Sequence, residues 1–278
     1  MKITLPDNSI RELPDGSSGY DLAKDIGPGL AKSAVAIRVN GEQKDLYDVI
    51  SGDVSASIIT IDSNDGLEIM RHTLTAQVLA SALKNIYPKS KLAIGPTIDD
   101  GFYYDVESKD PISIDDLQKI EDEMKKIIST NPNIKKKLLN KKDALKVFKN
   151  LNEPYKQSII EESGQEEDFQ LYSQDNNDNF VDLCRGPHLP SLSFIGSFKL
   201  TRVSGAYWKG DSKNTMLTRI YGTAWNNEKD LEKYLGTIEE AQKRDHRKIG
   251  KEMELFTFDE EIGAGLPLWL PNGSIIID

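Results

Sequence analysis

Val181-Asp182-Leu183-Cys184-Arg185-Gly186-Pro187-His188 is the stretch around which this chain is organised. It holds the only cysteine and one of only three histidines, four positions apart. The Gly186-Pro187 pair between them predicts a backbone turn. Asp182 and His188 flank the thiol with groups that take, give or stabilise a proton. By itself, a Cys-x3-His spacing more often marks a buried inert thiol beside a surface histidine than a site. The rest of the chain has to decide between the two.

The 278 residues are enough for two or more cores of ordinary domain size. A hydrophobic content of 38% and a charged content of 29% describe a globular chain, not a disordered one. No apolar run approaches the length of a membrane span, so no membrane partner is expected. The opening Met1-Lys2-Ile3-Thr4-Leu5-Pro6 has no apolar stretch of signal-peptide length. One cysteine cannot form an internal disulfide, which makes a reducing cytoplasm the expected location. The net charge of −10 argues against a generic nucleic-acid binder, while leaving room for local basic surfaces.

Residues 1 to about 61 read as one small unit. Lys2–Leu5 and Ser9–Leu13 form a hairpin around Pro6-Asp7-Asn8. A helix over Ser17–Ile26 follows, ended by Gly27-Pro28-Gly29. Ala34–Val39 is a strand before an Asn40-Gly41 turn, and Leu46-Tyr47-Asp48 and Ser57–Ile61 close the unit. This order suits a helix on one face of a mixed sheet, as in a β-grasp domain. From 67 to 87, apolar residues at helical spacing predict a long helix with His72 near its start. Leu92–Pro96 and Gly101–Val106 read as strands. Ser113-Ile114-Asp115-Asp116 is a capping-box pattern opening another helix. Lys135-Lys136-Lys137 reads as a solvated face, and the acidic segment 161–179 as an exposed connection. Phe198–Val203 and Met216–Tyr221 read as strands. Between Lys199 and Arg219, Arg202, Lys209 and Lys213 add positive charge with Tyr207 and Trp208 interleaved, a pattern suited to stacking and phosphate contact. Glu228 to about Lys251 predicts one long polar helix, and Ile275-Ile276-Ile277 a strand.

Several stretches together resemble the N-terminal half of a bacterial-type threonyl-tRNA synthetase. They are Ile94-Gly95-Pro96 with Gly101–Asp105, Glu153-Pro154-Tyr155-Lys156, Asp182–His188, Gly205–Ser212, Arg219–Trp225 and Lys243–Gly250. The resemblance implies an α+β chain. Residues 1–61 would be a β-grasp (TGS) domain, 62–225 an α/β editing domain of the type shared with alanyl-tRNA synthetases, 226–250 a linker helix, and 251–278 the start of a truncated class II aminoacylation domain. The segments that bind ATP and magnesium, and the zinc ligands that recognise threonine, would lie beyond Asp278. No cofactor and no metal are expected in this fragment. The implied partner is tRNA(Thr) with its aminoacylated 3′ end, and the full-length family member is expected to be a homodimer.

The implied chemistry is hydrolysis of mischarged seryl-tRNA(Thr). Serine lacks one methyl of threonine, a difference worth roughly 1–3 kcal/mol in a pocket, so binding alone leaks serine. By resemblance the catalytic residues are His72, Lys156, Asp182, Cys184 and His188. Tyr104, Gln77, Arg202, Tyr207 and Lys209 are expected to bind substrate. His72 would position or deprotonate water, Lys156 steady the carbonyl or a phosphate, and Asp182 bind the amine. Cys184 and His188 would shape the pocket. The family pattern places a second histidine on the helix four residues after the first, and here Ala76 stands there, followed by Gln77. A one-residue insertion among Thr73-Leu74-Thr75 aligns Gln77 with the missing histidine. On an ideal helix His72 and Gln77 sit about 140° apart, converging only if a bulge absorbs the extra residue. Two other readings stay open. One is a tRNA-docking module with impaired editing. The other is a metal hydrolase holding zinc through His72, Cys184 and His188.

Overall fold

Lys2–Thr4 (β1) and Ile10–Glu12 (β2) pair antiparallel across the expected turn. The computed structural model describes residues 1–278 except 176, 259–265 and 278. Ser18 caps Gly19–Ile26 (α1) in a reciprocal box with Asp21. The Gly27-Pro28-Gly29 break does not end helical structure. Pro28 opens a second short helix, Pro28–Ser33 (α2), since proline is tolerated where its missing N–H had no partner. Ala34–Val39 (β3) turns through Asn40 and Gly41, both at positive φ, into Glu42–Asp45 (β4). That strand precedes the Leu46-Tyr47-Asp48 segment expected in its place. Val54–Thr60 (β5) completes a mixed sheet of order β2-β1-β5-β3-β4, in which β1 and β5 run parallel. Ile3, Leu22 and Ile37 are fully buried between α1 and this sheet.

The long helical pattern spans three consecutive segments. Ser63 accepts the Gly66 N–H and starts Asn64–Thr73 (α3), three residues earlier than the apolar spacing indicated. His72 therefore lies in the last turn of α3, not near its start. Leu74–Leu79 is a π-helical segment with all six residues buried, and Ala80–Ile86 (α4) resumes the α form. Within it the Ala80 N–H reaches the Thr75 carbonyl, five residues back. One residue more per turn is how a helix absorbs an insertion without rotating everything beyond it.

This rod packs on a second, antiparallel sheet. Its strands are Lys91–Leu92 (β6), Thr97–Ile98 (β7), Gly101–Glu107 (β8), Ser197–Tyr207 (β12) and Met216–Trp225 (β13), in the order β12-β13-β8-β6, with β7 beside β8. Leu117–Thr130 (α5), opened by the Ser113–Asp116 capping box, shares the core. Val78, Leu79 and Leu83 meet Ile120 and Met124 of α5 and Phe102, Tyr104 and Ile220 of the sheet.

Ile134–Leu139 (β9), Phe169–Gln174 (β10) and Asn177–Leu183 (β11) form a third sheet, backed by Lys141–Asn150 (α6) and Pro154–Glu162 (α7). Two expectations change here. The Lys135-Lys136-Lys137 run lies on strand β9: Lys135 and Lys137 are exposed, as a solvated face would be, while Lys136 turns inward and pairs with Asp45 and Asp48. The 161–179 segment is not merely an exposed connection. Phe169 and Leu171 alternate inward on β10 and close a core with Phe148 and Ile160, a two-residue period hidden by the surrounding acids.

Residues 229–278 form a separate unit. The single long helix expected there is two, Glu228–Lys243 (α8) and His246–Glu252 (α9). Phe256–Phe258 (β14) pairs with Pro267–Trp269 (β15). Pro271–Ile277 (α10) is a helix where a strand was expected, Pro271 supplying the preset φ of a first helical turn. Gly263-Ala264-Gly265 lies outside the described residues. No described helix is long and apolar enough to cross a membrane.

Leu79 is fully buried in the π segment. Leu79→Ala is expected to lower unfolding stability by about 2–5 kcal/mol in urea titration, the range for a leucine truncated in a tight core.

Candidate active site

The end of α3 and the loop after β11 meet edge to edge. His72 Nε2 lies 2.8 Å from Cys184 Sγ, although 112 residues separate them in sequence. The His72 and His188 rings stack with centroids 4.9 Å apart and planes 6° from parallel. His188 Nδ1 lies 3.2 Å from the Thr73 hydroxyl, which also accepts the Leu189 N–H at 2.9 Å. The Thr73 hydroxyl can accept from both nitrogens or donate to Nδ1, so the direction of its bond to His188 follows the imidazole tautomer. His188 Nε2 has no hydrogen-bond partner among the described residues.

The second part of the site is a buried ion pair. Lys156, in the first turn of α7, places Nζ 2.5 Å from Asp182 Oδ1 on β11. The contact is close but not aligned as a hydrogen bond, so Asp182 Oδ1 keeps acceptor capacity. Both side chains are under 5% exposed. Lys156 Nζ also stands 5.9 Å from the centre of the Tyr104 ring. Tyr104 is fully buried in β8 with its hydroxyl unpartnered among the described residues.

Burial decides the protonation states. It lowers the His72 pKa against the opposing pull of Asp182 and Asp45. It lowers that of His188 much further, with the His72 ring adding to the effect. The Cys184 thiol is pushed up to about 12, first by burial and then by the Asp182 charge. Near neutral pH the cluster is thus two neutral imidazoles and a neutral thiol. A thiol held protonated is a poor nucleophile, whereas a neutral imidazole can accept a proton from water. Tyr104 is also raised well above its ordinary value by burial, so it remains an O–H donor.

The donor atoms of His72, Cys184 and His188 lie within 4.8 Å of one another and form a group able to hold a metal. As they stand, nitrogen and sulfur touch directly at 2.8 Å. Two ligands of one tetrahedral zinc would sit roughly 3.5 Å apart, so an ion would have to part them.

The remaining expected residues lie apart from this cluster. Gln77 sits in the π segment, fully buried, and its backbone carbonyl accepts from Gln174. Its amide forms no hydrogen bond to His72, Cys184 or His188. Lys209 pairs with Glu162 on α7 at 2.5 Å. Arg202 stacks 3.9 Å from the Tyr221 ring centre, and Tyr207 is exposed near the end of β12. Arg219 is held bidentate by Asp105.

Residues 1–60 match the TGS domain, and residues 170–221 match the second additional domain of threonyl and alanyl tRNA synthetases. The chain is 48% identical over 276 residues to the threonine–tRNA ligase of Citrifermentans bemidjiense, covering 99% of this chain and 43% of that protein. It is 49% identical over 277 residues to that of Clostridium botulinum strain Alaska E43, covering 100% of this chain and 42% of that protein. The chain belongs to the threonine–tRNA ligase family. It spans well under half the length of the curated relatives it matches. The matched segment of the second additional domain contains Asp182, Cys184 and His188, while His72, Tyr104 and Lys156 precede it.

Sequence reading missed three residues at the site. Thr73 orients the His188 ring. Tyr172 packs its edge on His188 at 4.4 Å, and Asp45 accepts the His188 backbone N–H at 2.7 Å. The family motifs do not mark them, and Asp45 lies 143 positions from its partner. Only the alternation along β10, had it been recognised, would have placed Tyr172 on a strand.

The two depressed histidines bind fewer protons folded than unfolded. Folding stability is therefore expected to fall as pH drops below about 6.5, the ordinary histidine value, in urea titrations between pH 7.5 and 5. The raised thiol acts oppositely, holding its proton in the folded state, so stability falls above about pH 8.5. At pH 8.5 iodoacetamide should alkylate Cys184 far more slowly in the native chain than in urea, as read by mass spectrometry.

Proposed function

We propose that the cleft hydrolyses a seryl ester on the 3′ end of tRNA(Thr). The observation that carries this reading is the convergence of a neutral His72 with Cys184 and His188 beside the buried Lys156–Asp182 ion pair, with Tyr104 Oη and His188 Nε2 buried and without hydrogen-bond partners among the described residues. Buried polar atoms are normally satisfied, so those left without hydrogen-bond partners beside the cluster suit a polar ligand. Asp182 is the acceptor for the seryl ammonium. His188 Nε2–H and Lys156 are donors for the carbonyl oxygen as it gains charge. His72 takes a proton from water as the oxygen attacks the carbonyl carbon. The tetrahedral intermediate then expels the ribose oxygen, which receives that proton, leaving serine and free tRNA.

The relatives' shared name supports ATP-dependent attachment of threonine to tRNA(Thr) as the whole protein's reaction, with this chain supplying the proofreading step. ATP, magnesium and zinc belong in that proposal to the part of the protein outside this chain. A second reading rests on Gln77, which cannot titrate and stands where the family pattern has a histidine: the chain docks tRNA without turning it over. Lys209 and Arg219 are engaged by acids, so in that reading Arg202 makes the phosphate contact.

Deacylation of seryl-tRNA(Thr) and threonyl-tRNA(Thr) by this chain separates the readings. Loss of the seryl ester alone is expected, with His72→Ala slower by roughly a hundredfold or more, the usual contribution of a general base. Salt-sensitive tRNA binding with background loss of both esters would instead support docking. Activity that vanishes with a chelator and returns with zinc would favour the metal reading.

A further inference from the structure

The first domain reaches the loop that carries His188 through one carboxylate. Asp45 ends β4, an edge strand of the TGS sheet. Its Oδ1 accepts the backbone N–H of His188 at 2.7 Å. Its Oδ2 accepts the Tyr172 hydroxyl at 2.9 Å and pairs with Lys136 Nζ at 2.9 Å. The Asp45 backbone N–H is in turn held by Asp48 at 3.2 Å. Tyr172 presents its edge to the His188 ring. Gly186, at φ 64°, lies so close that a Cβ there would stand 2.3 Å from the Tyr172 hydroxyl. The His188 loop is thus gripped at its backbone by Asp45, at its ring by Tyr172 and at Nδ1 by Thr73, leaving Nε2 buried and without a partner among the described residues.

A bond between domains for cohesion alone would not need this arrangement. Lys136 already pairs with Asp48 of the same domain. Asp45 Oδ1 is committed to the loop that carries the cleft histidine, not to a surface cation. We propose that Asp45 is a positioning residue for His188, so that the TGS domain forms part of the hydrolytic cleft it precedes in sequence. The hydrolytic part of this statement rests on the reading given under Proposed function.

The test compares Asp45→Ala with Asp45→Asn in this chain. Asparagine still accepts the His188 N–H and still reaches Tyr172, but loses the charge that pairs with Lys136. For seryl-tRNA(Thr) hydrolysis, Asp45→Ala is expected to lower kcat roughly tenfold to a hundredfold with KM nearly unchanged, the effect of a misplaced group. Asp45→Asn is expected to recover most of that loss. Amide hydrogen exchange at His188 should accelerate in Asp45→Ala and stay slow in Asp45→Asn. Wild-type kcat and exchange in Asp45→Ala would overturn the proposal. So would an equal loss in both variants, which would assign the effect to the ion pair. Should Asp45→Ala fail to fold, Lys136→Gln decides: both hydrogen bonds remain, so kcat and exchange should match wild type, and a tenfold fall in kcat would overturn the assignment. If the wild-type chain cleaves no seryl ester, the hydrolytic reading fails by itself, and His188 exchange still decides whether Asp45 holds the loop.

Discussion

Removing water from around ionisable side chains shapes this molecule more than any single bond. His72, Cys184 and His188 touch or stack in a space where a charge on any one of them would be costly. The result is a cluster neutral at ordinary pH, with the thiol held protonated. Beside it, Lys156 and Asp182 stay buried only because each faces the other. The site thus divides into a neutral half, His72, Cys184 and His188, and a charged half, Lys156 and Asp182.

That division depends on the helix leading into it. His72 closes α3, while the next six residues run as a π segment before α4 resumes. The segment takes up one residue beyond an ideal α-helix, so the apolar faces before and after it both meet the same sheet. Without it, Val78, Leu79 and Leu83 would rotate by about 100° away from Phe102 and Tyr104. Just before it, Thr73 stands beside His188, its hydroxyl 3.2 Å from Nδ1. Gln77, which replaces a titratable residue in the family pattern, is buried without joining the cluster. In the proposed hydrolysis, a site with one helix histidine places its proton chemistry on His72 and its electrostatics on His188 and Lys156.

The three sheets are not independent supports. The Lys136 strand and Tyr172 tie the third sheet to Asp45 and Asp48 of the first domain, close to the loop that carries His188. Within a basic run whose flanking lysines stay exposed, Lys136 alone becomes a tether, because its acids arrive from a distant segment.

Much of the architecture follows from local rules. The hairpin around Pro6-Asp7-Asn8, the capping box at Ser113, the Asn40-Gly41 turn and the amphipathic helical pattern from 67 to 87 all depend on neighbours within a few residues, and composition and spacing report them directly. Family motifs likewise named His72, Lys156, Asp182, Cys184 and His188 as one group, and the structure gathers them. Misreadings cluster where local signals compete. Acids around β10 masked a two-residue apolar period, and a proline start turned an expected strand at Ile275-Ile276-Ile277 into a helix. The sequence by itself determined the domain order, most helices and the chemical identity of the cleft residues, because those reside in short-range pattern and residue type. Only the tertiary structure decided which atoms meet. The 2.8 Å His72–Cys184 contact, the stacked imidazoles and the reach of Asp45 across 143 positions come from packing distant segments out of water, and no local period records that.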